Sequence, residues 1–343
     1  MQKKLIALAV AGAAAGFVSA PVLAQSQVTL YGTFDAGVRH VDNVNGAGDN
    51  NWTMDSAGTY NSNRWGFKGS EDLGNGMKAN FNMEGGFMTG TGVGSISGGL
   101  FGRKQIVGLS GNWGALDLGR NYTTIFYTTG AYDPFRYKYT GIIPIAGLDG
   151  ARRNNDIQYT GTFNGLTVRL EHALGEVPGE QAASATTEAG LSYANGPFSI
   201  GGAYGTQKDA TNTLDTKRWT IGGGYNFAPF EVKLGYHIMK ADLAAGGTAD
   251  TKNAWVGGRY AMSGANALTV GYYDTKTENV AATEGKKKLF VVGFVHNLSK
   301  RTEFYADIDH ARLSGSSILT MPAPDTRTQN RVTGVSVGIN HAF

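Results

Sequence analysis

Apolar and polar side chains alternate with a period of two along most of the chain, in segments roughly ten residues long. In the first segment Val28 and Leu30 fall on one face, while Thr29 falls on the other. The same alternation returns at residues 77–83 and 335–339. A helix would instead repeat its apolar positions every three or four residues. The pattern therefore predicts β-strands that each have one apolar and one polar face.

Two kinds of connection separate these segments. Short ones are rich in turn-forming residues, such as Asn164-Gly165 and Asn195-Gly196-Pro197. Long ones are polar and lie at residues 40–60, 89–100, 122–151, 176–186, 209–216, 242–251, 279–285 and 314–328. Strict alternation of the two kinds is typical of an up-and-down meander with tight turns at one rim and loops at the other. Counting the segments predicts about sixteen strands, with both chain ends at the short-turn rim.

Aromatic residues cluster near the segment ends, as they do where hydrocarbon meets lipid headgroups. The cluster contains Tyr31, Trp65, Phe67, Phe81, Phe87, Trp113, Tyr225, Phe227, Tyr272, Tyr273 and Phe343. A closed barrel is the β-structure that crosses a bilayer, because an open edge leaves backbone groups unpaired in lipid. A soluble sandwich, the alternative, would use loops of similar length at both ends. The sequence therefore predicts an all-β fold, a sixteen-stranded antiparallel transmembrane β-barrel.

Composition narrows the possible functions. The 343 residues include 51 Gly and no Cys, and 17% of them are charged. The lack of Cys excludes a disulfide scaffold, a thiolate metal site and a Cys nucleophile. The body holds no apolar run long enough for a transmembrane helix. Its many aromatic residues and low charge also argue against disorder.

The first 24 residues have the pattern of a signal peptide. Lys3 and Lys4 precede a short apolar stretch, Leu5 to Val18, and small residues end the segment at Ala24. We therefore expect residues 1–24 to be removed and residues 25–343 to form the barrel. Without Lys3 and Lys4 the formal charge of +3 falls to +1, so overall basicity does not support nucleic-acid binding.

Several stretches of the body resemble the general trimeric porins of Gram-negative outer membranes, in particular their beta-proteobacterial, anion-selective branch. The stretches are VTLYGTFDAGV, SNRWGFKGSEDLGNGMKA, RKQIVGLSGNWGALDLGRNYT, RRNNDIQYTGTFNGL, YNFAPF, VHNLSKRT and VGINHAF. The resemblance implies a water-filled channel for passive diffusion of small hydrophilic or anionic solutes, built from long extracellular loops and short periplasmic turns. It also implies a homotrimer in contact with outer-membrane lipid and lipopolysaccharide. Phe343 at the end of the last strand implies recognition by the outer-membrane assembly machinery.

In such porins the third loop folds inward and narrows the lumen, and residues 122–151 correspond to it. The segment Asp133-Pro134-Phe135 looks like the tip of that loop. It is the longest connection, and connections of this length are usually functional or disordered.

Charged side chains in the strands are expected to face the lumen, since Arg or Lys facing lipid costs about 2–4 kcal/mol at the midplane. By alternation Arg64 and Lys68 lie opposite Trp65, and Arg39 lies on the polar face of its own segment. Arg103 shares its parity with the apolar face. Either it lies above the hydrocarbon or a bulge resets the strand, and parity does not decide between these.

The resemblance implies that an Arg cluster on the barrel wall faces the inward loop, and by motif its members are Arg64, Arg103 and Arg152. Arg39, Lys68, Lys104 and Arg153 are secondary candidates. The expected counter-charge is Asp133, with Glu84 and Asp149 as alternatives. A ring of basic side chains in a narrow aqueous pore favours anions over cations. The combination predicts an anion-preferring constriction.

Other motifs carry no chemistry that alters this interpretation. Gly334-Val335-Ser336-Val337-Gly338 matches the nucleophile pattern G-x-S-x-G, but it lies inside an alternating segment and not at a strand-to-helix turn. The six His residues show no pair at metal-ligand spacing. No cofactor, metal or catalytic set is therefore expected. An outer-membrane barrel enzyme and a plugged structural or adhesive barrel remain the alternative hypotheses.

Overall fold

The computed structural model describes residues 27–45, 47–54, 59–96, 99–139, 145, 151–278, 284–315 and 330–343, so the signal peptide predicted at residues 1–24 lies outside it. Within these ranges the elements are β1 (Gln27–Val41), β2 (Asn51–Thr53), β3 (Arg64–Gly74), β4 (Met77–Gly86), β5 (Lys104–Gly111), β6 (Gly114–Tyr122), α1 (Thr124–Tyr132), β7 (Arg152–Phe163), β8 (Leu166–Ala173), β9 (Thr186–Asn195), β10 (Phe198–Lys208), β11 (Asp215–Phe227), β12 (Phe230–Asp242), β13 (Thr248–Ala261), β14 (Asn266–Glu278), β15 (Gly285–Asn297), β16 (Thr302–Gly315) and β17 (Arg331–Ala342).

The strands form one closed antiparallel barrel. From β3 to β17 each strand pairs with the next, and β1 completes the ring by pairing with both β3 and β17. The short β2 forms three residue pairs with the C-terminal end of β1, at residues 39–41, and is not a wall strand. Closure leaves every wall strand with two neighbours, as a sheet in lipid requires. The predicted sixteen-stranded antiparallel barrel is confirmed, with β2 as an extra strand.

Tight turns and long connections occupy opposite rims, as the alternation predicts. At Asn75–Gly76 and Asn164–Gly165 both turn residues have positive φ, between 50° and 84°. This is the conformation of two-residue hairpin turns, which Asn and Gly adopt readily. The ends of the described chain meet at this rim, where Gly32 and Phe343 exchange backbone hydrogen bonds of 3.1 and 3.2 Å.

The outer face of the wall is apolar and its inner face is polar, which is the reverse of a soluble protein. Val107 is 60% exposed on the outer face, whereas Asp35 is fully buried on the inner face. Aromatic rings line the outer face at the short-turn rim, in a run of contacts from Phe198 through Tyr225, Phe227 and Phe230 to Tyr260. An apolar outer belt with aromatic girdles is the pattern of an outer-membrane barrel.

Two residues of the predicted aromatic cluster lie on the other face. Tyr31 donates a hydrogen bond to Glu84 inside the barrel, and Tyr273 is buried against Asp133. Both are Tyr residues with a polar group that finds a partner in the lumen, as buried Tyr hydroxyls usually do. Their assignment to the lipid-facing girdle was wrong.

The third long connection folds into the barrel. Its helix α1 begins after Thr123, whose hydroxyl accepts a hydrogen bond from the Phe126 amide at 3.2 Å, and it packs against β8 to β12. Gly222 in β11 permits this approach, because a Cβ there would lie 2.5 Å from the Tyr132 side chain. In the described ranges, no helix is sufficiently long and apolar to traverse a bilayer.

After α1 the connection continues along the same wall, with Pro134 against Gly257 in β13 and Phe135 against Gly271 in β14. Phe135 and Tyr139 join an aromatic cluster with Tyr60, Tyr273 and Tyr305. The backbone amide of Tyr139 donates to the carbonyl of Tyr60 at 2.6 Å, which links the first long connection to the third. The inward-folded loop therefore lies along the β8 to β16 wall, and the β3 to β7 wall carries the basic residues described next.

Candidate functional site

A carboxylate on β4 organises the predicted basic cluster. The Nε atom of Arg103 donates to Glu84 Oε1 at 2.7 Å, and Nε of Arg64 lies 3.9 Å from Glu84 Oε2. Tyr31 donates a third contact to the same carboxylate at 3.0 Å. Glu84, predicted only as an alternative counter-charge, contacts two of the three predicted Arg residues.

The position of Arg103 shows why its parity is misleading. Strand β5 begins one residue later, at Lys104, and Arg103 lies in the bend before it. A bend is not bound by the alternation of a strand, so Arg103 and Lys104 both turn into the lumen, where Arg103 is 6% exposed. Neither alternative from the sequence, a place above the hydrocarbon or a bulge within the strand, describes this arrangement.

Tyr122 brings the third predicted residue, Arg152, into the group. Its hydroxyl accepts hydrogen bonds from Arg103 at 2.8 Å and from Arg152 at 2.5 Å. The Arg152 guanidinium also lies 4.2 Å from the centroid of the Tyr122 ring, a cation–π contact. A break in the β6–β7 register, with Asn155 in the left-handed region (φ 54°), shifts the start of β7 relative to β6.

Two further cations, one on β5 and one on β8, face the helix. Tyr127 on α1 accepts a hydrogen bond from Lys104 at 3.4 Å, and the Arg169 guanidinium lies 4.3 Å from the centroid of its ring. Sequence reasoning did not select Arg169 as a candidate. Alternation could have identified it. Val168 and Leu170 lie on the outer face, so Arg169 between them faces the lumen.

The remaining predicted cations do not join the cluster around Glu84. Arg39 is 4% exposed and pairs with Asp309 at 2.7 Å, and Arg153 donates to Gln207 at 2.7 Å. Lys68 lies on the lumen side as expected, with its ammonium 5.2 Å from the centroid of the Tyr31 ring.

Asp133 does not serve as the facing counter-charge. Its carboxylate is fully buried at the end of α1 and accepts hydrogen bonds from the Tyr273 hydroxyl at 2.5 Å and the Tyr137 amide at 2.7 Å. Burial raises the pKa of the Asp133 carboxyl above its ordinary value. Its geometry is that of a group that organises the loop tip and fixes it to β14. The other alternative, Asp149, lies outside the described residues.

Replacing Tyr273 with Phe is expected to loosen this contact. The variant removes a charge-assisted hydrogen bond, which contributes about 1.5–3 kcal/mol, so amide exchange in residues 133–139 should accelerate about tenfold or more. Because the lost donor favours the ionised carboxylate, the effect should grow as pH rises through the pKa of Asp133. Hydrogen–deuterium exchange at acidic and neutral pH measures it, and Tyr272→Phe on the outer face is the control. Equal exchange in the variant and the parent would contradict the role of this contact.

Two wall carboxylates hold the beginning of α1. The Thr124 amide donates to Glu171 on β8 at 2.6 Å, and the Ile125 amide donates to Glu188 on β9 at 2.7 Å. Glu171 and Glu188 are direct partners in the β8–β9 register, and Arg153 interacts electrostatically with both. Unpaired amides and the positive dipole end of a helix favour such anions.

The G-x-S-x-G motif and a neighbouring pair of acids, Asp307 and Asp309, lie on the last two strands of the wall. Residues 334–338 lie within β17, in extended strand rather than at a strand-to-helix turn. Asp307 and Asp309 share the inner face, where both lie beside the Arg39 guanidinium. Across the ranges that the structure covers, no three His, Asp or Glu side chains are grouped so as to hold a metal ion.

This arrangement of side chains can discriminate between solutes by their charge, and it does not resemble a site that makes or breaks covalent bonds. Cations on β3, β5, β7 and β8, with Arg103 just before β5, converge on a passage narrowed by α1. The electric fields of charges in a low-dielectric cleft add together. Such a passage concentrates small anions and raises the energy of cations.

Comparisons with known proteins agree with this picture. The profile of a family described as Gram-negative porin matches residues 7–316. The chain is 34% identical to outer membrane porin protein 32 of Delftia acidovorans and 27% identical to an outer membrane porin protein of Bordetella pertussis, each over 100% of both chains. An anion-selective porin from Comamonas acidovorans superposes with a TM-score of 0.80 and 29% identity, over 93% of this chain and 100% of that one. The trimer form of OmpT from Vibrio cholerae has a TM-score of 0.71 at 15% identity, over 93% and 99% of the two chains, and shares the fold.

Proposed function

Because the chain belongs to the Gram-negative porin family, we propose that its channel prefers anions and that Arg64, Arg103 and Arg152 cause the preference. The protein is an outer-membrane β-barrel that acts as a porin, and its relatives are channels rather than enzymes. The solutes proposed for it are small hydrophilic molecules and ions that diffuse passively, with anions favoured. The similar porin from Comamonas acidovorans is anion-selective, which supports the proposal.

One observation supports the proposed preference for anions. Three guanidinium groups are joined through Glu84 and Tyr122, and among the described residues Glu84 is the carboxylate in contact with them. Three positive charges against one negative charge give this cluster a net positive charge. Guanidinium groups remain charged at any physiological pH and can bind a carboxylate or phosphate with two parallel donors.

Recording from planar bilayers across a KCl gradient tests the proposal. We expect stepwise conductance with a reversal potential that favours chloride over potassium. A reversal potential favouring potassium would reject the anion preference and leave the channel intact. A lack of conductance steps from folded protein would favour a plugged structural or adhesive barrel.

Neutralising the single counter-charge should increase the preference. In Glu84→Gln the amide oxygen can still accept the Arg103 hydrogen bond, but the negative charge is gone. We expect the chloride-to-potassium permeability ratio to rise about fivefold, since a unit charge about 4 Å away contributes about 1 kcal/mol in water. Glu303→Gln, which alters a lumen acid away from the cluster, is the control. A lower ratio in Glu84→Gln would mean that Glu84 does not offset the cluster.

We also propose that the functional unit is a homotrimer, as the trimer form of OmpT suggests by analogy of fold. The mass of the detergent-extracted, unheated protein, measured by native mass spectrometry, should equal three mature chains. A mass of one chain would contradict the trimer. The same measurement, made on denatured protein, tests the proposed start of the mature chain at Gln25.

Two contacts at the membrane complete the proposal. The outer belt is proposed to face outer-membrane lipid and lipopolysaccharide, and Phe343 is proposed to be recognised by the assembly machinery. Phe343 is 36% exposed and its ring lies 5.9 Å from that of Phe34 on the outer face. Deleting Phe343 should reduce the amount of folded protein in the outer membrane, whereas Phe343→Tyr should not.

Absence of catalytic activity is the final part of the proposal. The chain offers the G-x-S-x-G pattern only within a strand, where the serine Ser336 accepts a hydrogen bond from Arg39 at 3.0 Å. A lipid-hydrolysis assay with the purified protein tests this point. Hydrolysis that disappears in Ser336→Ala would establish an enzyme.

A further inference from the structure

A pocket inside the barrel lies between the inward-folded loop and the rim of the short turns. It has a volume of about 360 Å³, and the loop contributes Arg136 and Lys138 to its lining. The wall contributes Arg259, two residues before the end of β13, and Asn297, the last residue of β15. This space, called here the rim pocket, is separate from the cluster around Glu84, whose Arg residues lie on or next to β3, β5 and β7.

Alternation directs Arg259 into the lumen. It shares its parity with Trp255, which donates a hydrogen bond of 2.9 Å to the Tyr132 carbonyl in α1. It also shares its parity with Gly257, where an added Cβ would lie 2.6 Å from Pro134 in the loop. The exposed side chain of Arg259 is therefore surrounded by water inside the barrel and does not face lipid.

The loop backbone at the rim pocket has an unusual conformation. Three of its residues have left-handed φ angles between 52° and 60°, namely Arg136, Tyr137 and Tyr139. Non-glycine residues in this region are strained and persist where the surrounding structure fixes them. Here the Tyr137 amide donates to Asp133 at 2.7 Å, and the Tyr139 amide donates to the Tyr60 carbonyl at 2.6 Å. The strained segment brings both loop cations into the pocket, and strain of this kind clusters at ligand-binding sites.

One carboxylate on the wall is shared by three of the surrounding cations. Glu231 accepts hydrogen bonds from Arg136 at 2.7 and 3.0 Å, and it lies 3.6 Å from the Lys233 ammonium. Glu231 is also the direct register partner of Arg259 in the β12–β13 pair. Its single negative charge offsets one of these three positive charges.

The second carboxylate beside the rim pocket is Glu303, which lies 4.0 Å from the Lys138 ammonium. Asp35 and Asp133 are also close to the loop, but both are fully buried and accept hydrogen bonds away from the pocket. Among the described residues around the pocket, two carboxylates therefore accompany four cations, Arg136, Lys138, Lys233 and Arg259. The surroundings of the pocket carry an excess of positive charge.

Lys138 connects the rim pocket to the constriction. Its ammonium lies 4.5 Å from the centroid of the Tyr60 ring, and it interacts electrostatically with Arg64 of the cluster around Glu84. An anion that leaves Arg64 towards the short-turn rim therefore encounters Lys138 and then Arg259. Charges of one sign along a low-dielectric passage concentrate counter-ions in it.

We propose that the rim pocket binds the oxyanion group, a carboxylate or a phosphate, of a small solute that travels between the constriction and the short-turn rim. The proposal rests on the anion-preferring channel proposed above, because the solute reaches the pocket through the lumen. The guanidinium of Arg259 can donate two parallel hydrogen bonds to two oxygen atoms, a geometry that a single chloride ion does not match. The pocket thus distinguishes oxyanions from chloride, which the charge of the constriction alone does not do.

Saturation-transfer NMR of the full detergent-solubilised protein with acetate and with methylphosphonate tests the site. Each probe carries an oxyanion and a methyl group that reports contact with the protein. Arg259→Gln should weaken binding about fivefold, the effect of one unit charge about 4 Å away in water. Lys138→Gln/Arg259→Gln should weaken it about 25-fold. Acetamide, the neutral counterpart of acetate, should show no saturation transfer.

Lys78→Gln is the matched control. Lys78 is an inward cation of β4 next to a short turn, and like Arg259 it has a carboxylate, Asp72, as its register partner. This variant should bind both probes like the parent. Arg259→Lys keeps the charge but loses the two parallel donors, so it should bind more weakly than the parent and more tightly than Arg259→Gln.

The same titrations in a protein with a neutralised constriction separate the two sites. That protein carries Arg64→Gln, Arg103→Gln, Arg152→Gln and Glu84→Gln. It should still bind the probes, and adding Arg259→Gln should again weaken binding about fivefold. Binding that disappears when the constriction is neutralised would place the oxyanion there and overturn the rim pocket.

Equal binding by Arg259→Gln and the parent, or equal saturation of acetate and acetamide, would also overturn the proposal. If Arg259→Gln does not fold, Lys138→Gln alone should weaken binding about fivefold, and unchanged binding would count against the pocket. Binding of one probe only supports the site and assigns it to carboxylates or to phosphates. A channel that prefers potassium but binds acetate through Arg259 would reject the proposed function and keep the pocket, and a chloride-preferring channel without such binding would do the opposite.

Discussion

Replacing Arg64, Arg103 and Arg152 together with Gln is expected to abolish the anion preference of the channel. The three guanidinium groups supply the net positive charge of the cluster, and the variant leaves the Glu84 carboxylate without these partners. One unit charge about 4 Å from a passing ion changes its energy by about 1 kcal/mol even in water. The chloride-to-potassium permeability ratio should therefore fall at least about fivefold, as reversal potentials across a KCl gradient would reveal.

The control for this result must change the net charge equally without touching the lumen. Lys217→Gln/Lys240→Gln/Lys276→Gln removes three positive charges from the outer face and should leave the ratio unchanged. Adding Glu84→Gln to the Arg variant removes the unpaired, nearly buried carboxylate and protects against loss of folding. If this quadruple variant conducts with the selectivity of the parent, the Arg cluster does not set the preference.

Replacing Glu171 and Glu188 together with Ala is expected to release the beginning of α1 from the wall. Each carboxylate accepts a hydrogen bond from a helix amide at 2.6–2.7 Å, and hydrogen bonds to charged groups contribute about 1.5–3 kcal/mol. Loss of both, at about 3 kcal/mol or more, should accelerate amide exchange in residues 124–126 by at least about 100-fold. The open-channel current should also become noisier, because α1 narrows the passage.

The conservative variant Glu171→Gln/Glu188→Gln separates anchoring from charge. Gln keeps an acceptor oxygen for each amide, so exchange should rise much less than in the Ala variant. Leu170→Ala, on the outer face of the same strand, is the matched control. If the Gln and Ala variants exchange equally fast, the negative charge rather than the hydrogen bond holds the helix. Exchange like that of the parent in both would contradict the anchoring role.

The barrel could be predicted from sequence because apolar residues at every second position indicate a β-strand with one apolar face. Once Val28 and Thr29 are placed on opposite faces, the face of every residue in that strand follows, and the same holds in the other segments. Turn residues such as Asn164-Gly165 then fix where each segment ends. Alternation also gave the inward direction of Arg64 and Arg39.

The same rule fails where the backbone leaves the strand. Arg103 lies one residue before β5, so its direction is decided by a bend that has no sequence period. The direction of Asp133 depends on how the loop follows the wall to Tyr273, 140 positions away. Long-range contacts of irregular backbone do not affect the spacing of residues in the sequence. For this reason the sequence predicts Asp133 as the counter-charge, whereas Glu84 is the carboxylate that contacts Arg64 and Arg103.

Glu171 and Glu188 illustrate a third case. Alternation places both on the lumen side, and that much was readable from the chain. Their partners are backbone amides of α1, which every sequence possesses, so no motif could identify the contact. Only the folded path of residues 123–132 shows that these acids hold the helix.

The pairing of β1 with β17 has a consequence for how the molecule is made. Arg39 and Ser336, which contact each other across this seam, are 297 positions apart. Until β17 arrives, β1 and β16 each expose a row of unsatisfied amides, which is a template for aggregation. Ring closure of this kind is slow, because it brings together segments of very high sequence separation. Pairing of β17 with β1 is therefore the step that satisfies both edges, so the wall is free of unpaired strands only when the chain from β1 to β17 is assembled.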